Sequence, residues 1–307
     1  MTQVRPNFFI IGAPKCGTTA MYQYLNVHPE IYMPTDAKEP HYFAPEYQMP
    51  KMQVYRDEAA YLNLFADATT ETHIGEASIC YLRADAAAQR IQVFAPDAKL
   101  IIMLRNPVEM VYSLYYQGLY AGTETLTTFE AALAAEEPRR NGQQIPPRTV
   151  PALLQYRSFG YYAAQIQHYL EYFSREQMHI ILFDDFKRDT AGAYRDTLRF
   201  LGVDETFQPN FEKVNANKIP RMSAINRLTN QPPTWYATTR NILRRTIPQS
   251  VRDQFNATLH SINTREVNRP PMQPQTKRQL QDDFREDIDA LGDLLGRDLS
   301  HWYNQDS

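Results

Sequence analysis

Unbroken apolar runs punctuate this chain at intervals. FFII (8–11), KLIIML (99–104) and MHIILF (178–183) have the length and composition of strands covered on both faces, and THIGEASICYL (72–82) reads as a buried strand running into a loop. Between them lie segments whose apolar residues recur at helical spacing: Met21, Tyr24 and Leu25, then DEAAYLNLFADA (57–68), AAAQRIQVFA (86–95) and the stretch from Pro107 through Tyr120. FGYYAAQIQHYLEYF (159–173) and AGAYRDTLRFLGV (191–203) continue the pattern, the latter closed by Gly202, and a last helix is expected from about Gln275 to Leu295. Strands alternating with helices predict an α/β fold, a central parallel sheet flanked by helices on both faces.

Two segments interrupt the alternation. HPEIYMPTDAKEPHYFAPEY (28–47) is proline-punctuated and without period, yet it gathers Lys38, Glu39, His41, Tyr42 and Phe43, and irregular segments after a parallel strand are where sites are built. Residues 121–157 are polar and proline-rich with one short helix expected at TTFEAALAAE, which reads as a surface insertion or a lid. Residues 204–235 read as mostly irregular, and NILRRTIP (241–248) as a basic, solvated helix face. No repeat, low-complexity tract or linker divides the 307 residues, so a single domain over 1–307 is expected, with a helical C-terminal part over about 236–307.

Composition narrows the partners. A formal charge of −3 over mixed signs gives no long-range field for nucleic acid, so an anionic ligand must be held by local cations. No apolar run approaches membrane-spanning length, and the run at 8–11 leads directly to Pro14 and Lys15, unlike a signal peptide. Two cysteines, Cys16 and Cys80, are too few for a disulfide framework or a zinc site, which suits a cytoplasmic location and predicts no metal. Cys16 could act as a nucleophile, but a packed, inert thiol is the preferred reading.

The chemistry concentrates at residues 8–25. An apolar strand enters a turn bounded by Gly12 and Gly17, and Thr18 and Thr19 open a helix. Such a turn aims successive backbone N–H groups and the positive end of a helix dipole at one point, a site for phosphate or sulfate. Against the P-loop template the spacing fits from Gly12 to Gly17 and Thr19, but Thr18 stands where the lysine belongs and Lys15 has moved into the loop. An anion cradle with a relocated ammonium is the reading. A P-loop kinase or NTPase would want a lysine at position 18 and a strand-borne aspartate for Mg²⁺, neither of which is supplied here; a nucleotide- or sulfate-binding scaffold without catalysis is the other alternative. Downstream, KLIIML ends at Arg105-Asn106-Pro107, where Asn106 suits an N-cap and Pro107 the first helical position.

Three pieces in order, PKCGTTAMYQYL, KEPHYF and KLIIMLRNPVEMVYSLY, resemble the sulfotransferases that use 3'-phosphoadenosine 5'-phosphosulfate (PAPS), in particular the group related to heparan sulfate sulfotransferases. FGYYAAQIQHYL, FLG and the closing GRDLSHW add to the likeness. The resemblance implies a P-loop-like sheet and transfer of a sulfuryl group to a hydroxyl or amine of a small-molecule, lipid or saccharide acceptor. It implies that Lys15 contacts the 5'-phosphate and bridging oxygen, that Cys16, Gly17, Thr18 and Thr19 hold the phosphosulfate, and that Arg105 and Ser113 bind the 3'-phosphate. Lys218 and Arg221, in NANKIPR, match the later cofactor loop loosely. Glu39 matches the catalytic base, with His41 as the competing candidate. In GEASICYL, Ala77 stands where several carbohydrate-acting members carry a lysine just after the glutamate matched by Glu76. The sequence does not indicate the acceptor or the oligomeric state.

Overall fold

A computed structural model describes residues 4–35, 37–49, 55–147, 149–211 and 269–304, with the backbone of 218–220 and 264–266. Five strands, β1 (Phe8–Gly12), β2 (Ile31–Tyr32), β3 (His73–Ala77), β4 (Lys99–Leu104) and β5 (Met178–Leu182), form one sheet in the order β2-β3-β1-β4-β5. Every neighbouring pair runs parallel. The apolar runs have the expected cause: every residue of β1 is buried, as is Leu100 through Leu104 in β4, because helices cover both faces.

The helices are α1 (Thr18–Leu25), α2 (Glu58–Leu62), α3 (Ala87–Phe94), α4 (Pro107–Ala121), α5 (Phe129–Ala134), α6 (Glu136–Arg140), α7 (Tyr162–Leu170), α8 (Phe183–Arg188), α9 (Thr190–Leu201) and α10 (Pro274–Leu295). Boundaries follow local chemistry. Asn106 caps α4 by accepting from the Val108 amide at 3.0 Å, with Pro107 at the first helical position. Gly202 ends α9 and Gly296 ends α10, both with left-handed backbone. Asp287 of α10 accepts from the first-turn amides of Ala163 and Ala164 at 3.1 and 3.4 Å, so the closing helix caps α7 as well as packing on it.

Several elements differ from expectation. A two-residue strand, β2, lies inside the segment expected to be all loop, and α8 follows β5 without a break. The 57–68 helix is a single α-helical turn continued as 3₁₀, and the helix expected over 159–173 spans only Tyr162–Leu170. Strands β6 (Lys218–Pro220) and β7 (Thr264–Glu266) pair antiparallel, the first where irregular chain was expected and the second within the part expected to be helical. Residues 121–157 hold two α-helices and a 3₁₀ turn among the described residues, and part of the segment is buried: Arg139 and Glu124 pair at 2.7 Å with both side chains fully enclosed. The basic stretch 241–248 lies outside the described residues.

Candidate active site

The loop between β1 and α1 folds as its glycines dictate. Gly17 sits at the helix N-cap with φ 90, and a β-carbon there would approach the Phe186 ring to 3.1 Å, so both conformation and packing demand glycine. The Ala13 amide donates to Met103 O at 2.7 Å, tying the loop to the end of β4. Cys16, Gly17, Thr18 and Thr19 thus form the turn and first helical residues, where backbone N–H groups lack intrahelical partners. Cys16 is fully buried, its thiol donates to Pro14 O at 3.2 Å, and burial pushes its pKa up to about 12: it is an inert packed thiol.

Lys15 holds a left-handed backbone, φ 62, inside this loop. Burial first, then Arg269 and Arg105, lower its pKa to about 8, while Cys16 and Glu39 act in the opposite direction. Three cations therefore converge. Arg105, at the end of β4, donates to Glu109 through Nε at 3.1 Å and an Nη at 2.6 Å, and lies 5.0 Å from the Phe183 ring. Arg269 stands 5.5 Å from the Tyr116 ring; its Nε is buried with no hydrogen-bond partner among the described residues, and burial and Arg105 lower its pKa. Ser113 is buried on α4, one helical row on from Glu109. Like charges held together with a buried donor unpaired form a site for a multivalent anion.

The second half of the site is the segment 38–43. Glu39 and His41 both have positive φ, 65 and 51, and the strain is held by hydrogen bonds to β3 and its extension. The Glu39 amide donates to Ala77 O at 3.0 Å, His41 N to Ser78 Oγ at 3.1 Å and Phe43 N to Tyr81 OH at 3.3 Å. Glu39 Oε2 lies 3.9 Å from His41 Nε2, and Oε1 lies 3.2 Å from Lys38 Nζ. His41 is 7% exposed, its Nδ1 has no partner among the described residues, and burial lowers its pKa against the pull of Glu39. A neutral imidazole beside a carboxylate gives two proton acceptors at one point.

The curated relatives with similar sequences include mouse carbohydrate sulfotransferase 15, 29% identical over 249 residues, and human heparan sulfate glucosamine 3-O-sulfotransferase 6, 29% identical over 213 residues. Those matches cover 64% and 69% of this chain but 44% and 57% of the relatives, so the chain spans about half their length. Among solved structures, a sulfotransferase from Alicyclobacillus acidocaldarius superposes with a TM-score of 0.71 at 34% identity, covering 97% of this chain and 99% of that one. The family model described as "Sulfotransferase domain" matches residues 5–292. The chain belongs to the sulfotransferase family.

In this sulfotransferase, Lys15, Arg105, Glu39 and His41 come together across β1, β4 and the 38–43 loop. The side chain of Lys218 and all of Arg221 lie outside the described residues. Two residues at the site, Arg269 and Lys38, have no role in the sequence reading. Arg269 is far along the chain and only the tertiary fold brings it to Arg105. Lys38 reads as the ordinary partner of its neighbour Glu39. Glu76, already matched to a glutamate of the family, is buried in β3. It accepts from Tyr61 and Tyr81, both at 2.9 Å, and burial pushes its pKa up to about 7. No group of three or more metal-ligating side chains occurs among the described residues, and no described helix is long and apolar enough to cross a membrane.

Proposed function

We propose that this sulfotransferase moves the sulfuryl group of PAPS to an acceptor hydroxyl and releases 3',5'-ADP. The observation that carries the reading is the convergence of Lys15, Arg105 and the half-buried Arg269, whose repulsion in the free protein an anion with two separate phosphate positions relieves. Lys15 and the loop amides face the 5'-phosphosulfate; Arg105, Arg269 and Ser113 face the 3'-phosphate. Sulfuryl transfer resembles phosphoryl transfer in its loose, in-line transition state, so positioning and charge stabilisation do most of the work.

The bond from sulfur to the bridging oxygen breaks and its electron pair stays on the 5'-phosphate, where the Lys15 ammonium meets the growing charge. A new bond forms from sulfur to the acceptor oxygen. The acceptor proton passes to Glu39, with His41 Nε2, 3.9 Å away, as the alternative acceptor. The names of the carbohydrate-directed relatives support a saccharide hydroxyl as the first acceptor to test.

Calorimetry with 3',5'-ADP tests the donor half. Arg105→Ala should bind it about ten- to a hundredfold more weakly than the parent protein, the loss of a charge-assisted phosphate contact. Unchanged affinity would overturn the assignment. ATP, which lacks the 3'-phosphate, should respond little to the substitution.

A further inference from the structure

Lys38 is the one cation among the described residues whose hydrogen bonds and ion pairs join the anion loop to the candidate base. Its Nζ donates to Thr19 Oγ1 at 2.6 Å and lies 3.2 Å from Glu39 Oε1. The Tyr22 ring, on the next turn of α1 from Thr18, lies 5.9 Å from the same nitrogen, and the side chain is 26% exposed. Thr19 belongs to the first turn of α1, whose amides form the cradle; Glu39 is the group placed to take the acceptor proton. An ammonium has three N–H donors, of which these two partners use two. The third remains for an oxygen lying between the loop and the carboxylate.

That space is where the reacting group must travel. Sulfur leaves an oxygen held by the loop and joins an oxygen deprotonated beside Glu39, so its three peripheral oxygens pass between Thr19 and Glu39. We infer that Lys38 is a catalytic residue that holds the sulfuryl oxygens of the donor and aligns sulfur between leaving phosphate and acceptor. This rests on the PAPS reading above. The roles of the cations then divide. Lys15, Arg105 and Arg269 hold the parts of the donor that remain in 3',5'-ADP, and Lys38 holds the part that departs. The proton released by the acceptor goes to Glu39.

The division gives a test that needs no acceptor. PAPS and 3',5'-ADP differ by the sulfuryl group, so Lys38→Met should weaken PAPS binding about tenfold or more while 3',5'-ADP affinity changes by less than about threefold. Retained 3',5'-ADP affinity also shows that the variant is folded and its loop intact. Lys38→Arg, which keeps the charge, should recover part of the PAPS affinity. Equal losses for both ligands, or no loss for either, would overturn the role while leaving the PAPS reading in place. Failure of the parent protein to bind either ligand would overturn that reading, and this inference with it.

Discussion

Lys15 shows how a single residue acquires its chemistry from neighbours that the local sequence does not contain. The loop fixes its left-handed backbone, but burial beside Arg269 and Arg105 lowers its pKa to about 8. In the free protein the ammonium is therefore mostly charged at pH 7 and mostly neutral at pH 9. An anion that requires the charged form must bring a proton with it above about pH 8. Affinity for 3',5'-ADP, measured calorimetrically from pH 7 to 9.5, should thus fall above about 8 by up to roughly tenfold per pH unit, and Lys15→Met should bind weakly with no such fall. The stability of the unliganded protein has the opposite slope. The unfolded chain keeps this proton to a higher pH, so between about 8 and the ordinary lysine value stability rises with pH. Arg269 could not be picked out by spacing, because nothing in RPPM distinguishes a phosphate-facing arginine from a solvated one.

At the scale of elements, the long apolar runs and capped helices were legible because each carries its own cause. KLIIML reads as a strand buried on both faces, and Asn106-Pro107 states where α4 begins. Element β2 was not legible, since two residues cannot show a period. Helix α8 carries a local signal: FDDFKR places acids in the first turn and bases in the last, complementing the helix dipole. The segment 121–157 misleads by composition. It is polar and proline-rich, yet Glu124 accepts from both terminal guanidinium nitrogens of Arg139 at 2.7 Å and from Tyr156 OH at 2.7 Å, all three side chains being buried. Arg139→Met should cost about 3–5 kcal/mol in denaturant unfolding, because it strands an uncompensated buried carboxylate. Adding Glu124→Gln should restore part of that loss, whereas additive losses would show that the pair contributes little.

For the whole molecule, the cation cluster makes the free protein carry a repulsion that its ligand removes. Ligand saturation stabilises a folded state by about 2.7 kcal/mol at a hundred times Kd, which for a chain of this size corresponds to a rise in Tm on the order of 5 °C. Thermal unfolding should therefore shift upward with 3',5'-ADP and less with ATP at equal concentration; equal shifts would mean that the 3'-phosphate is not recognised. The sequence by itself determined the α/β class, the strand-loop-helix cradle at 8–25, the strand-to-helix corner at Arg105 and the segment carrying Glu39 and His41, because each depends on residues close together in the chain. Only the tertiary structure decided that Arg269 joins Lys15 and Arg105, that Lys38 bridges Thr19 to Glu39, and that Glu76 is buried with two tyrosine donors behind the candidate base. These are contacts between distant segments, set by the order of strands in the sheet and by the close of the chain upon it, and no local pattern encodes them.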